Sequence, residues 1–243
     1  MNPQQAASAI APSVSALGGT FHTDGATFER GAELGLPPGF QYYGVGRFGV
    51  LGRVDADVVV AAAVFMEPTL VRSTWEEALE TVDPADGAEH YAETCRRWGR
   101  QHLAGVEGLE RLAELAERVS AGASPVGASL FAGWRALPLP EDPPGRVSQL
   151  MMVLRELRFG RHAVAVLAAG LSPLESVLAS RGGERTAGMF GWPEPYPDVT
   201  RVEGRRAAAD LRTDELSAED FAVLDADERA EIVELARRAA AAL

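Results

Sequence analysis

The sequence contains a single cysteine, Cys95, and no lysine. One cysteine cannot form a disulfide within the chain, and it cannot build a cysteine-only metal site. Few cysteines are typical of proteins from a reducing compartment, so we expect a cytoplasmic location. All 23 basic residues are arginine, which together with abundant alanine, glycine and proline suggests a gene from a GC-rich genome.

Long hydrophobic runs are also missing. The longest, Val58 to Met66, has nine residues, whereas a membrane helix needs about 20. Residues 1–20 have neither the cationic start nor the apolar block of a secretory signal. Their alanine, serine, glutamine and proline content predicts a flexible N-terminal tail. We therefore expect no membrane partner.

Basic residues are fewer than acidic ones, 23 against 35, so the formal net charge is −12. Non-specific binding to nucleic acids depends on neutralising phosphates, which an acidic chain does poorly. Residues 198–243, where a DNA-reading helix would be sought, contain twelve acidic and seven basic residues. A nucleic-acid partner is therefore unlikely on charge alone.

Helix signals, by contrast, are abundant. Capping residues followed by apolar residues at helical spacing predict helices over Pro84–His102, Leu109–Val119 and Asp225–Ala240, among others. The tetrapeptide from Ser172 to Glu175 has the composition of a capping box at the start of a helix. The glycine-dense stretch 40–52 is the one place where a small β element is an alternative.

The predicted fold class is therefore all-α. A chain of 243 residues allows one large domain or two small ones. We expect the flexible tail over 1–20, a helical core with a ligand pocket over 21–190, and a C-terminal helical segment over 191–243 that begins with an extended, proline-rich stretch. The final helix can pack on its own core or against a second copy, so a homodimer is one arrangement the sequence allows.

Basic residues are concentrated between Arg146 and His162, where two apolar helices are predicted over 146–157 and 161–169. On a helical wheel Arg158 falls in the middle of the apolar stripe, and Arg155 falls near its edge. Glu156 points to the opposite side, so it is not expected to pair with Arg155.

An arginine that faces a core without a partner is costly, so Arg158 requires an explanation. In one interpretation Gly160 ends the first helix, and Arg158 lies in the last turn, where a cation suits the helix dipole. In the other, Arg155 and Arg158 bind the acidic group of a ligand and His162 donates a further hydrogen bond, because a guanidinium matches carboxylate or phosphate geometry.

Tyr43 and Arg47 lie among four glycines in the segment YYGVGRFGVLG, residues 42–52. Glycine allows a backbone to approach a ligand closely. We therefore predict that these two side chains contact the same ligand from a loop. No zinc signature or phosphate-binding loop is present, so we predict no metal site, and no particular cofactor is indicated.

The stretch LRELRFGRHAVAVLAAGLSPLESVL, residues 154–178, resembles a motif of an actinobacterial group of SalK-like proteins labelled helix-turn-helix proteins. Segments 42–52, 62–71 and 129–143 match in the same order, so the resemblance spans about residues 40 to 180. It implies helical, helix-turn-helix-related domains. Two positions depart from the pattern: Leu157 replaces a histidine, and Arg161 replaces an acidic residue.

Three hypotheses follow. The first is a protein that binds a small anionic molecule through Arg155, Arg158, His162, Tyr43 and Arg47. The second is an enzyme that uses Glu156 and His162 as acid and base on a small metabolite. The third is a transcriptional regulator that senses a ligand through the same pocket.

Overall fold

A computed structural model describes all residues from 1 to 243 and confirms the all-α prediction. It contains no strand, and five short 3-10 helices join or extend the α-helices. The thirteen α-helices are α1 Pro3–Gly19, α2 Gly25–Glu29, α3 Phe40–Phe48, α4 Ala56–Ala63, α5 Pro68–Leu79, α6 Pro84–His102, α7 Leu109–Gly122, α8 Ser129–Ala136, α9 Pro143–Ala168, α10 Pro173–Leu178, α11 Gly183–Met189, α12 Glu203–Ala218 and α13 Ala226–Ala240.

Helix α9 is the centre of the fold, and helices α1, α6, α7, α8 and α12 pack around it. The Asp142 side chain accepts a hydrogen bond from the backbone N–H of Gly145 and caps its start. The prediction of two helices separated at Gly160 is wrong, because α9 continues to Ala168. Gly160 serves packing instead: a β-carbon there would lie 2.6 Å from the Cβ of Ala128.

The first 20 residues are not a flexible tail. Asn2 and Gln5 form a capping box, and helix α1 then buries Ile10, Val14 and Leu17 against the core. This helix lies along α9, α12 and α13. Apolar residues at i, i+4 and i+7 supply the face that holds it there.

The segment 40–52 contains no β element. It forms α3 followed by a 3-10 helix, Gly49–Leu51. Its glycines allow close helix packing rather than a loop: a β-carbon at Gly44 would lie 2.8 Å from Thr74, and one at Gly87 on the facing helix would lie 2.7 Å from Val45. Tyr43 and Arg47 are therefore presented from a helix.

Several predicted elements are confirmed. Helix α6 has the predicted bounds, and Ser172 and Glu175 form the predicted capping box of α10. The segment Gly191–Asp198 contains no helix. No helix is both long and apolar enough to span a membrane.

The buried apolar residues form two groups. The larger core joins α1 and α3–α8 to the first half of α9 and to α13. A smaller core joins the second half of α9 to α10, α11 and α12. The connection between α4 and α5 reaches both groups, because Met66 belongs to the first and Phe65 to the second.

Candidate ligand-binding site

A cavity of about 520 Å³ lies where the two cores meet. Its wall is formed by the end of α1, the 3-10 helix Thr20–Thr23, α2, α3, the α4–α5 connection, α9 and the end of α11. Most of this wall is apolar, and its larger apolar side chains are Phe28, Phe40, Phe65, Met66, Phe159 and Phe190. A cavity of this size and character is typical of small-molecule sites.

The structure brings four of the five predicted ligand-binding residues to this cavity: Tyr43, Arg47, Arg155 and His162. Tyr43 and Arg47 are one turn apart on α3, and Arg155 and His162 are two turns apart on α9, so each pair shares a helix face. Arg158, the fifth, does not line the cavity. It faces a shallower groove between α1 and α9.

Arg47 and Glu156 form a buried ion pair at the cavity wall. The Nε and Nη2 of Arg47 donate to the two carboxylate oxygens at 3.0 and 2.8 Å, and its Nη1 donates to the Tyr43 hydroxyl at 2.8 Å. The side chains are 3% and 0% exposed. Bidentate pairing with no access for water makes this a rigid element.

Arg155 also pairs with Glu156, with its Nη1 2.7 Å from Oε1. The expectation that these neighbours cannot pair is wrong, because the long arginine side chain bends back to a carboxylate on the adjacent residue. Arg155 makes no other ion pair, and its side chain is 27% exposed. Arg155 lines the cavity, and its remaining N–H groups have no hydrogen-bond partner.

One carboxylate thus serves two guanidinium groups. Burial would raise the pKa of Glu156, but the charges of Arg47 and Arg155 outweigh burial and lower the pKa below its usual value. Burial would lower the pKa of Arg47, but Glu156 and Tyr43 raise it. All three groups are therefore charged at neutral pH, and the cluster carries a net charge of about +1.

The other arginines of the predicted basic patch are neutralised by acids distant in sequence. Arg158 donates to Asp214 at 2.7 Å, and Arg161 donates to Asp220 at 2.8 Å. Arg146 pairs with Glu117 on α7. The patch is therefore mostly structural, and Arg158 neither lies in a last turn nor faces the cavity.

His162 contacts the cavity from α9 while its Nδ1 lies 2.9 Å from the Thr213 hydroxyl. Its ring lies 5.5 Å from the ring of Phe65. Burial and the nearby Arg206 lower the pKa of His162 to about 4, so the imidazole is neutral at pH 7.

His22 is a cavity residue that sequence reasoning misses, because it directly follows the segment whose composition predicts a tail and lies in no motif. It lies on the 3-10 helix that follows α1, and its ring forms part of the cavity wall. Its Nδ1 is 2.7 Å from the Tyr91 hydroxyl, and its buried Nε2 has no partner. Burial, and then the charges of Arg155 and Arg47, lower its pKa well below the usual value.

Val64 has a backbone conformation that is rare for a branched residue, with φ 53° and ψ −61°. It forms a tight turn in which the Phe65 N–H donates to the Ala63 carbonyl at 2.6 Å. Such a conformation costs about 1–3 kcal/mol and is maintained by its surroundings. The turn places Phe65 against Phe159, with ring centres 5.4 Å apart.

The acid–base pair of the second hypothesis is not assembled in this cavity. His162 lines the cavity, but the Glu156 carboxylate is enclosed and held by both arginines. A carboxylate with a lowered pKa and no access to a substrate is poorly suited to proton transfer. No group of three or more histidine, cysteine or acidic side chains is positioned to hold a metal ion.

Comparison with known protein families identifies one match. A family described as a helix-turn-helix family matches residues 7–201, which is most of the chain. No curated protein and no solved structure matches the sequence. The chain therefore belongs to the helix-turn-helix family, a description that concerns fold and assigns no ligand, reaction or partner.

Proposed function

We propose that this member of the helix-turn-helix family binds a small, largely apolar molecule with one negatively charged group in the cavity between its two cores. The observation that carries the proposal is the charge of the cavity wall. Arg47 and Arg155 share the single carboxylate of Glu156, so one positive charge is left without a protein partner.

Arg155 is the residue proposed to hold the anionic group. Arg47 uses three of its five N–H groups to hold Glu156 and Tyr43 and its side chain is only 3% exposed, whereas Arg155 uses a single N–H group in pairing and is 27% exposed. A planar guanidinium with free N–H groups binds carboxylate or phosphate oxygens in a defined orientation. Within an apolar cavity this attraction is screened far less than at the surface.

The apolar wall is proposed to select the rest of the ligand. Phe28, Phe40, Phe65, Phe159 and Phe190 are contributed by five separate segments, so a ligand would be enclosed by aromatic side chains on several sides. Each apolar group that leaves water for such a wall contributes about 25 cal/mol per Å². The arginine then provides orientation more than total affinity.

Straight-chain carboxylates from octanoate to tetradecanoate provide a direct test by isothermal titration calorimetry. We expect binding at one or more chain lengths, and we expect Arg155→Gln to weaken it at least tenfold, because a charged hydrogen bond in a desolvated site is lost. Arg212→Gln is the matched control, since Arg212 is 59% exposed and pairs only with Glu215.

Native mass spectrometry of the gently purified protein complements this test, because a bound ligand would appear as added mass that Arg155→Gln loses. If no carboxylate binds and no added mass is found, or if both arginine variants bind equally well, the anion-binding function is refuted.

A small-molecule partner is favoured over nucleic acid by the pairing of the C-terminal arginines. Arg206 pairs with Asp210 and Arg201 lies 4.0 Å from Glu175, so two of the three arginines in residues 201–206 face a carboxylate. A ligand-sensing regulator would require a gel shift at low salt, where phosphate contacts are strongest. The motif in residues 154–178 supports a place among the actinobacterial SalK-like proteins. The single cysteine supports a cytoplasmic location. A homodimer remains a prediction that a molecular-mass measurement by light scattering tests.

A further inference from the structure

The protons on the two histidines of the cavity wall can be placed from their hydrogen bonds. A neutral imidazole carries one N–H donor and one lone-pair acceptor, and the partner of one nitrogen determines the character of the other. Each ring bonds to a hydroxyl group, that of Tyr91 at His22 and that of Thr213 at His162. Only the Thr213 hydroxyl has a second hydrogen-bond partner, so the two rings carry their protons on different nitrogens.

At His22 the partner is the Tyr91 hydroxyl, 2.7 Å from Nδ1. This hydroxyl makes no other hydrogen bond, so its proton has no acceptor except Nδ1. Tyr91 therefore donates, and Nε2 of His22 carries the ring proton. That N–H is buried without an acceptor, which costs about 1–3 kcal/mol unless an incoming group accepts from it.

At His162 the assignment is reversed. The Thr213 hydroxyl donates its proton to the Ala209 carbonyl at 2.7 Å, so it accepts from Nδ1–H of His162, 2.9 Å away. An Asp210 carboxylate oxygen 4.0 Å from the same nitrogen also favours a proton there. Nε2 of His162 therefore presents a lone pair, and no protein group donates to it.

We propose that the ligand of this cavity is a carboxylate that also carries a hydroxyl or N–H donor: Arg155 binds its anionic group, and its donor binds Nε2 of His162. This inference rests on the proposed function, because it requires an anion at Arg155. It adds a polarity pattern to the cavity, with donors at one end and an acceptor at the other.

The positions of the groups support this arrangement. His22 and Arg155 both line the cavity, and the His22 ring lies 5.5 Å from the ring of Tyr43, whose hydroxyl accepts from Arg47. His162 is two turns along α9 from Arg155 and lies against Phe65. A molecule that spans from Arg155 to His162 passes Phe159, which lies between them on α9 and lines the cavity.

Nitrogen NMR of the full-length protein at pH 7, with ¹⁵N-labelled histidine, tests the proton positions without any ligand. We expect His22 to show the Nε2–H tautomer and His162 to show the Nδ1–H tautomer. Signals are assigned from His22→Phe and His162→Phe. A His162 ring protonated on Nε2 would overturn the proposal, because that nitrogen could then not accept from the ligand.

The ligand pattern is tested with three series of probes of matched chain length: alkanoates, ω-hydroxyalkanoates and ω-methoxyalkanoates of eight to fourteen carbons. At the length whose terminal oxygen reaches His162, the hydroxy acid should bind about five- to tenfold more tightly than the alkanoate, the effect of one net hydrogen bond. The methoxy acid, which cannot donate, should show no such gain.

His162→Phe should abolish the preference for the hydroxy acid over the alkanoate, and the helical circular dichroism of the variant, compared with that of the wild type, shows that it is folded. If alkanoates bind but no hydroxy acid gains affinity at any length, this inference is wrong and the anion-binding function stands. If no carboxylate binds the wild type, the anion-binding function fails and the inference falls with it.

Discussion

Replacing Glu156 by glutamine should destabilise the protein and at the same time strengthen anion binding. The carboxylate is fully buried and accepts hydrogen bonds from Arg47 and Arg155. Glutamine keeps the shape but removes the charge and turns an NH₂ group toward a guanidinium. Breaking one partner of a buried ion pair costs about 3–5 kcal/mol.

For a chain of this size each kcal/mol lowers the melting temperature by about 2–4 °C, so the midpoint should fall by roughly 6–20 °C. The free energy of unfolding is measured by urea titration at pH 7, with the slope compared between variants to confirm that the same surface is exposed. Glu117→Gln is the matched control, because Glu117 is 45% exposed in its pair with Arg146. It should cost about 1 kcal/mol or less.

The second effect has the opposite sign. Without the Glu156 charge, the cluster changes from about +1 to about +2, and an extra unit charge within about 7 Å is worth roughly 2 kcal/mol at an effective dielectric constant of about 20. Carboxylate probes should then bind at least tenfold more tightly. A stability loss no larger than that of Glu117→Gln would show that the pair is solvated, and unchanged or weaker binding would show that Arg155 does not face the ligand.

Two further predictions concern protonation and packing. Burial and Arg206 lower the pKa of His162 to about 4. Between pH 6.5 and 4 the unfolded chain therefore binds a proton at this residue that the folded protein does not bind. Lowering the pH from 6.5 to 4 should therefore destabilise the folded protein by about 3 kcal/mol through this residue. In urea titrations His162→Gln should lose that part of the pH dependence of the unfolding free energy, and an unchanged pH dependence would contradict the prediction. Gly160→Ala should destabilise by about 1–3 kcal/mol, because its β-carbon would lie 2.6 Å from Ala128, whereas Gly204→Ala on α12 meets open space and should stabilise by up to about 1 kcal/mol. Equal effects of the two substitutions in thermal melts would show that α9 is not packed against Ala128.

Much of the secondary structure was predictable because its causes are local. Proline at the first position of a helix, capping side chains and apolar spacing act over a few residues, and they marked α6, the start of α10 and α13 correctly. The same kind of signal was present in α1, where Asn2 and Gln5 form a cap before a regular apolar face. There the overall composition suggests a tail, but the cap and the apolar face determine a buried helix.

The error at Gly160 has a different origin. Glycine near a predicted helix end is typical of a stop signal, but its conformation here is helical, and the approach of Ala128 from another segment explains its presence. The glycines of α3 are likewise helical and allow a neighbouring helix to approach closely. No pattern within the segment distinguishes a glycine that bends the chain from one that admits a neighbouring helix.

The amino-acid sequence by itself determined the helical class, several helix boundaries and the types of residue at the site: arginines, a histidine and a tyrosine on apolar helices. Tertiary structure alone decided their roles, because the residues that neutralise these charges are far away in the sequence, where no local pattern can indicate them. Asp214 neutralises Arg158 from 56 positions away, and Glu156 holds Arg47 from 109 positions away. Only the folded chain leaves N–H groups of Arg155 without a partner and places Arg155 and His22 in the wall of the same cavity.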